Sequence, residues 1–175
     1  MLATALIVED HDVTRQGLKA LLENQMGARI VGTTGDGLEA TRLLEEHEPD
    51  LLVLDLGLPS LNGLDVLRKI QGLDLTTKVV VLSMHSDDVY VTEAFHLGAK
   101  GYVLKGSPLD ELTEAIRAVM SGEKYVSSDL SEDLIAGEHT PGEVRDRYDS
   151  LTEREREVLQ LTAEGSTSRE IGDRL

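Results

Sequence analysis

Five short apolar runs, three of them almost uninterrupted, constrain the fold of this chain more than any other feature. They occupy residues 4–8, 30–33, 51–54, 79–82 and 102–104, and the most continuous read ALIV, LLVL and VVVL. Strands that are apolar along their whole length are buried on both faces, as in a parallel sheet covered by helices on either side. Between the runs, apolar residues recur at helical spacing, and Gly or Pro stands at the joints. This fivefold strand–helix alternation predicts an α/β fold with a five-stranded, doubly wound parallel sheet.

Polar residues able to carry chemistry stand where the apolar runs end. They are Glu9 and Asp10 after the first run, Asp55 after the third, Ser83 after the fourth and Lys105 after the fifth. Because parallel strands point the same way, we expect these side chains to converge on one edge of the sheet. Three crowded carboxylates repel one another unless a cation or a proton intervenes. With no Cys or His placed to indicate a soft metal, this all-oxygen cluster favours Mg²⁺.

The expected cluster suits phosphoryl transfer to a carboxylate. An Asp side chain can act as a nucleophile and form an aspartyl phosphate, and the protein then supplies positioning and charge neutralisation. We expect Mg²⁺, held by Glu9, Asp10 and a backbone carbonyl near Asp55, to bridge the nucleophile and a phosphoryl oxygen. Lys105 and the Ser83 hydroxyl are expected to bind two further oxygens. The histidines show no ligand spacing and are interpreted as surface or loop residues, with only His85 near the rim of the site: His11, His47, His85, His96 and His139.

Composition excludes several other classes of protein. The chain has no cysteine, so disulfides, thiolate zinc sites and cysteine nucleophiles are ruled out. Its start, MLATALIVED, has no basic leader, and no apolar stretch approaches the ~20 residues needed to span a bilayer. We therefore expect a cytoplasmic protein without a membrane partner. The net charge of −16 repels nucleic acid over most of the surface, so DNA binding would require a locally basic module.

The pattern of the chain changes after Gly122. Residues 1–122 are predicted to form the α/β domain, and residues 123–149 a polar linker with a short helix over 127–135. Two helix-start signals follow, Thr152 with Glu155 and Thr167 with Glu170, and Gly165 stands where the first of these helices should stop. Residues 150–175 are thus predicted to begin an all-α helix-turn-helix domain, with the chain ending about two turns into its second helix.

Four motifs in the first domain resemble the receiver domain of two-component response regulators. They are VEDH at 8–11, LDLGLPSLNGLDVL at 54–67, VVVLSMH at 79–85 and GAKGYVLKG at 98–106. The resemblance spans about residues 3–121, and the ordered set is far more specific than any one motif. It implies a flavodoxin-like sheet with strand order 2-1-3-4-5.

The receiver resemblance also implies a role for individual residues. Asp55 is the implied phosphoacceptor, Glu9 and Asp10 the acidic pair, Gly57 the residue whose carbonyl binds Mg²⁺, Ser83 and Lys105 the phosphate-sensing pair, and Tyr102 the aromatic switch residue. On phosphorylation, Tyr102 is expected to repack inward. There is one departure from the family pattern. Many receivers have a proline in a cis peptide after the lysine, whereas Gly106 follows here, which leaves the geometry of this loop open.

The last 25 residues resemble the opening of the LuxR-type DNA-binding domain. This places the chain in the NarL/FixJ subfamily, although the recognition helix and the dimer-contact helix are missing. Residues 151–175 carry six acids against four arginines, a net charge of −2, and are not expected to bind DNA alone. The resemblance implies a sensor histidine kinase as phosphoryl donor, a homodimer on phosphorylation, and promoter binding only through a complete C-terminal domain. It implies no enzyme activity beyond slow autodephosphorylation.

Two other functions stay open at this point. The chain could be a receiver that signals through protein–protein contacts without DNA. Whether the gene encodes residues beyond Leu175 would discriminate this function from that of a DNA-binding regulator. A phosphatase with an aspartyl nucleophile is the other alternative. Those enzymes place a second Asp two residues after the first, whereas Asp55 is followed by Leu56 and Gly57.

Overall fold

A computed structural model describes residues 3–73, 75–130 and 158. The described elements, apart from a helical Val158, belong to the first of two compact units, Met1–Glu138. Strands and helices alternate as β1 (Thr4–Val8), α1 (Asp12–Met26), β2 (Arg29–Thr34), α2 (Gly37–His47), β3 (Leu51–Asp55), α3 (Gly63–Gln71), β4 (Lys78–Ser83), α4 (Asp88–His96), β5 (Gly101–Leu104), α5 (Leu109–Ser121) and β6 (Tyr125–Val126). All strand pairs are parallel, in the order β2-β1-β3-β4-β5-β6.

The sheet is buried on both faces, as the continuous apolar runs predicted. Along β3, Leu51 and Val53 pack with α1 and α5, while Leu52 and Leu54 pack with α2, α3 and α4. Because successive side chains of a strand point to opposite faces, a strand covered on both sides needs apolar residues at every position. The predicted doubly wound α/β architecture is therefore confirmed. No helix among the described residues is both long and apolar enough to cross a membrane.

The structure adds a sixth strand that the sequence analysis did not predict. β6 pairs with β5 and lies within the segment predicted to be a linker. Beyond it, Ser127 is fully buried: its N–H donates to the Tyr102 carbonyl (2.9 Å) and its Oγ accepts from the N–H of Leu104 (2.9 Å). Residues 127–130 form a turn, closed by a bond from Leu130 N to Ser127 O (2.8 Å), rather than the start of the predicted helix. The rest of that helix, and the predicted helix-turn-helix domain, lie outside the described residues.

Gly37, the first residue of α2, is in close contact with the β3–α3 loop. A Cβ at this position would overlap the Leu61 carbonyl oxygen and lie 2.9 Å from its carbonyl carbon. The obstructing atoms are backbone, so the neighbour cannot rotate away as a flexible side chain would. Gly17, within α1, offers the opposite situation, because nothing lies within 4 Å of a Cβ there.

We predict that Gly37→Ala lowers the free energy of unfolding by about 1–3 kcal/mol, since the added methyl overpacks this contact. Gly17→Ala should raise it by about 0.5–1 kcal/mol, because alanine restricts the unfolded chain and favours helix. Urea denaturation of both variants checks the pair. Equal effects of the two substitutions would contradict this account of Gly37.

Asp36 connects the start of α2 to the β3–α3 loop. Its carboxylate accepts from the backbone N–H groups of Leu38 (2.8 Å) and Glu39 (3.0 Å), and from the hydroxyl of Ser60 (2.7 Å). The bond from Glu39 and then that from Ser60 hold the pKa of Asp36 below its usual 3.8. These bonds favour the charged carboxylate, so the folded protein binds this proton less readily than the unfolded chain.

A depressed carboxyl pKa contributes stability that is present above the unfolded pKa and is lost as the pH falls through the folded value. We predict that Asp36→Asn, which still caps the helix but does not titrate, weakens the decline of unfolding free energy between about pH 5 and about pH 3. The measurement is urea denaturation across this range. Glu45→Gln, an exposed change on the same helix, is the control and should retain the wild-type decline.

Candidate functional site

The carboxyl ends of the strands bring the predicted polar residues to one edge of the sheet. Asp55 ends β3 and Ser83 ends β4, and Glu9 directly follows β1. Pairing of Asp55 with Leu82, and of Ser83 with Leu104, aligns the strand ends and places Lys105 beside them. Glu9, Asp55 and Ser83 are only 1%, 3% and 1% exposed. The register of the sheet therefore produces a largely buried polar cluster.

Lys105 joins two buried carboxylates. Its Nζ lies 2.7 Å from Asp55 Oδ2 and 2.9 Å from Glu9 Oε2, and it also donates to Glu9 Oε1 at 3.1 Å. Although burial disfavours the ammonium, hydrogen bonds to Asp55 and Glu9 hold the pKa of Lys105 above its usual value. One fixed positive charge thus faces two negative charges, and the cluster remains negative overall.

The oxygens of this cluster fit a hard cation. Glu9, Asp10, His11 and Asp55 each offer a ligand atom, and these atoms all lie within 4.8 Å of one another. Glu9 Oε2 and Asp10 Oδ1 are buried without a hydrogen bond of acceptable geometry, although each lies within ion-pair distance of a cationic side chain. Carboxylate oxygens with unused lone pairs are the donors that Mg²⁺ prefers. Among the described residues, the predicted acidic cluster is therefore assembled as expected.

His11 is a surface residue, as expected, but it also belongs to the cluster, although only His85 was expected near the site. Its ring is 71% exposed, but Nδ1 lies 2.6 Å from Asp10 Oδ1 and 3.1 Å from Glu9 Oε1. The charge of Asp10, followed by hydrogen bonds with Glu9 and Asp10, raises the pKa of His11 above 6.5. The sequence offered one signal, because His11 directly follows the acidic pair and occupies the residue before α1.

Two glycines allow the β3–α3 loop to lie against Asp55. The N–H of Gly57 donates to Asp55 Oδ1 (3.0 Å), and a Cβ on Gly57 would lie 3.7 Å from both carboxylate oxygens. At Gly63, the first residue of α3, a Cβ would overlap the Asp55 carbonyl oxygen and lie 2.7 Å from Leu56 Cα. A side chain at Gly63 would therefore push α3 away from the end of β3. The predicted role of the Gly57 carbonyl stays a prediction.

Ser83 and Tyr102 are connected through the β4–α4 loop. Ser83 Oγ accepts from the N–H of His85 (3.1 Å), and the Tyr102 hydroxyl donates to the His85 carbonyl (2.9 Å). The His85 ring also stacks on Tyr90, with centroids 4.2 Å apart and planes 10° from parallel. His85 does lie at the rim of the site, but through three contacts that the sequence analysis did not predict.

Tyr102 already faces inward. Its side chain is fully buried, and burial raises the pKa of its hydroxyl to about 12. In this structure Tyr102 occupies the inner position, and its expected inward repacking on phosphorylation stays a prediction. The residue after Lys105, Gly106, has a φ of 102°, a backbone conformation that glycine adopts without strain.

Comparison with known proteins agrees with this geometry. Residues 5–117 match the family described as the response regulator receiver domain, and residues 149–175 match the bacterial regulatory proteins of the luxR family. The first match covers well over half of the chain. The chain therefore belongs to the response regulators, as the motifs indicated, and combines a receiver domain with a LuxR-type segment of the NarL/FixJ type. Proteins of this architecture are phosphorylation-activated regulators of transcription rather than metabolic enzymes.

Two similar proteins align with nearly the whole chain, and a solved structure with most of it. The transcriptional regulatory protein LiaR of Bacillus subtilis is 36% identical over 170 residues, which cover 97% of this chain and 81% of LiaR. The oxygen regulatory protein NreC of Staphylococcus epidermidis is 37% identical over 177 residues, with the same 97% and 81% coverage. A crystal structure of a LuxR-family response regulator from Aurantimonas sp. SI85-9A1 matches with a TM-score of 0.71 at 35% identity, over 78% of this chain and 96% of that one.

The central ion pair of the site can be tested through stability. We predict that Lys105→Met lowers the free energy of unfolding by about 3 kcal/mol, because Glu9 and Asp55 lose the cation that compensates their burial. Lys100→Met, an exposed change one residue before β5, should alter it by less than about 0.5 kcal/mol. Urea denaturation in metal-free buffer is the measurement. Losses of similar size in the two variants would show that Lys105 is not paired as described.

Proposed function

We propose that Asp55 accepts a phosphoryl group in a Mg²⁺-dependent reaction. The observation that carries the proposal is the orientation of the buried Asp55 carboxylate, with Oδ2 on Lys105 (2.7 Å) and Oδ1 on the N–H of Gly57 (3.0 Å). A carboxylate oxygen attacks phosphorus, the bond from phosphorus to the donor's leaving group breaks, and the leaving group takes the electron pair. Two fixed hydrogen bonds hold the nucleophile in place, so little rotational freedom remains to be lost during the attack.

The acidic pair and Asp55 would hold the cation. Glu9 and Asp10 lie with Asp55 in one cluster of oxygen ligands, and we assign the carbonyl of Gly57 as a further ligand. When bound, Mg²⁺ neutralises the charge that develops on the phosphoryl oxygens. Lys105 is placed to neutralise the same group from another side, because its ammonium already contacts Asp55.

Ser83 and Tyr102 would transmit the change in charge. The phosphoryl group adds oxygen acceptors next to the β4–α4 loop, and Ser83 is the buried hydroxyl at the end of the neighbouring strand. A Ser83 side chain that turns to donate to a phosphoryl oxygen alters its bond with the N–H of His85. Tyr102 holds the carbonyl of the same His85, so the loop position is set from both sides.

A sensor histidine kinase is the proposed phosphoryl donor. A groove of about 620 Å³ beside Lys105 is lined by apolar side chains that include Leu18, Met84 and Leu109. Met84 and Leu109 are 73% and 56% exposed, and they supply an apolar contact surface next to the phosphoacceptor. Slow autodephosphorylation is proposed to limit the lifetime of the signal.

Promoter DNA is the proposed output. The match of residues 149–175 to the luxR family supports transcription over signalling by protein contact alone. We propose a receiver domain over 1–122, a linker over 123–149 and a LuxR-type helix-turn-helix segment over 150–175, with phosphorylation controlling dimerisation. DNA binding is assigned only to a complete C-terminal domain, because the net charge of −16 opposes binding by the rest of the surface.

Intact-mass spectrometry tests the phosphoacceptor. After incubation with Mg²⁺ and acetyl phosphate, we expect one phosphoryl adduct on the wild-type protein and none on Asp55→Asn, because the amide is not a nucleophile. Asp110→Asn, an exposed change in the first turn of α5, is the control and should form the adduct. An adduct on Asp55→Asn, or none on the wild type with either acetyl phosphate or a phosphorylated kinase, would overturn the proposal.

A further inference from the structure

Arg15 reaches from α1 back to the backbone of the acidic pair. Its guanidinium Nη1 donates to the carbonyl of Glu9 at 2.6 Å and to the carbonyl of Asp10 at 3.3 Å. Its other terminal nitrogen pairs with Asp12. The side chain is 18% exposed, and Nη1 lies 3.3 Å from the position that a Cβ on Gly35 would occupy. Arg15 is therefore a largely enclosed cation directed at two carbonyl groups.

These two carbonyls belong to the peptide units from which the acidic side chains project. The N–H of Glu9 donates to the Thr34 carbonyl at 2.9 Å, so that residue is held by β2 on one side and by Arg15 on the other. Hydrogen bonds from a charged donor are stronger than neutral ones, and a guanidinium can serve two acceptors in a fixed geometry. The hydrogen bonds from Arg15 and to Thr34 together fix the turn between β1 and α1, where Glu9 and Asp10 must both face the cluster.

We propose that Arg15 is a positioning residue for the divalent cation of the phosphorylation site. It contacts neither the cation nor the phosphoryl group, and it acts by orienting the backbone of Glu9 and Asp10. The inference rests on the proposed function, since it presupposes a cation at these carboxylates. Supporting groups behind metal ligands typically change metal affinity by about 10–100-fold when they are removed.

The sign of the effect separates positioning from simple charge. Arg15 is itself positive, so its removal would strengthen cation binding if only the local charge mattered. Loss of positioning has the opposite consequence, because misoriented carboxylates bind the cation less well. A purely structural role would lower stability and leave the affinity for the cation unchanged. Weaker binding in a folded variant is therefore specific to the proposed role.

The test is calorimetric titration of the 175-residue chain with Mg²⁺. We expect Arg15→Met to weaken the affinity by about 10-fold or more. Arg15→Lys, which keeps the charge but has one terminal nitrogen, should lie between the variant and the wild type. Arg42→Met removes an exposed arginine of α2, paired with Glu39 and Glu46, and should match the wild type. The rate of phosphoryl adduct formation by Arg15→Met should recover towards the wild-type value at saturating Mg²⁺.

The outcomes distinguish this inference from the proposed function. Unchanged or tighter Mg²⁺ binding by Arg15→Met and Arg15→Lys would overturn the positioning role while leaving phosphorylation of Asp55 intact. A wild-type protein that binds no Mg²⁺ would overturn the proposed function itself. If circular dichroism shows that Arg15→Met is unfolded, Arg15→Lys decides the question, because a weaker affinity at preserved charge still requires the lost geometry.

Discussion

The contact of Lys105 with two buried carboxylates is the interaction on which the rest of the site depends. Moving a carboxylate away from water costs several kcal/mol, and only close partners of opposite charge offset that cost. Here the three partners come from three different strands: Glu9 follows β1, Asp55 ends β3 and Lys105 follows β5. They meet because the strands are parallel and their ends are in register. The observed strand order and register thus bring the ammonium to both carboxylates.

The sequence predicted well those parts of the molecule in which a residue pattern is compatible with a single structural environment. Uninterrupted apolar runs require a strand covered on both faces. A charged residue directly after such a run must lie at the edge of the sheet, so the position of Asp55 could be predicted. β6 was not predicted because two residues are too few to show the apolar–polar alternation of a strand. Its existence depends on pairing with β5. The contacts of His11 and Arg15 were not predicted for another reason. Their partners are set by side-chain direction around the first turn of α1, which spacing along the chain does not specify.

In the β4–α4 loop, His85 makes several of the contacts around Ser83. His85 uses its N–H for Ser83, its carbonyl for Tyr102 and its ring for Tyr90 in α4. A group that binds Ser83 Oγ would therefore compete with the N–H of His85. The same residue also contacts the buried Tyr102 and Tyr90 of α4. Under the proposed function, Ser83 would gain a phosphoryl oxygen as a second partner beside the N–H of His85. His85 thus connects the buried Ser83 hydroxyl to Tyr90 on α4.

The short β6 strand ties the segment after α5 to the strand that precedes Lys105. Ser127 is bonded to Tyr102 and to the N–H of Leu104, the residue immediately before Lys105. The segment around Ser127 is thus attached to β5, whose last residue directly precedes Lys105. A displacement of β5 would therefore move Ser127 with it, because two hydrogen bonds join them.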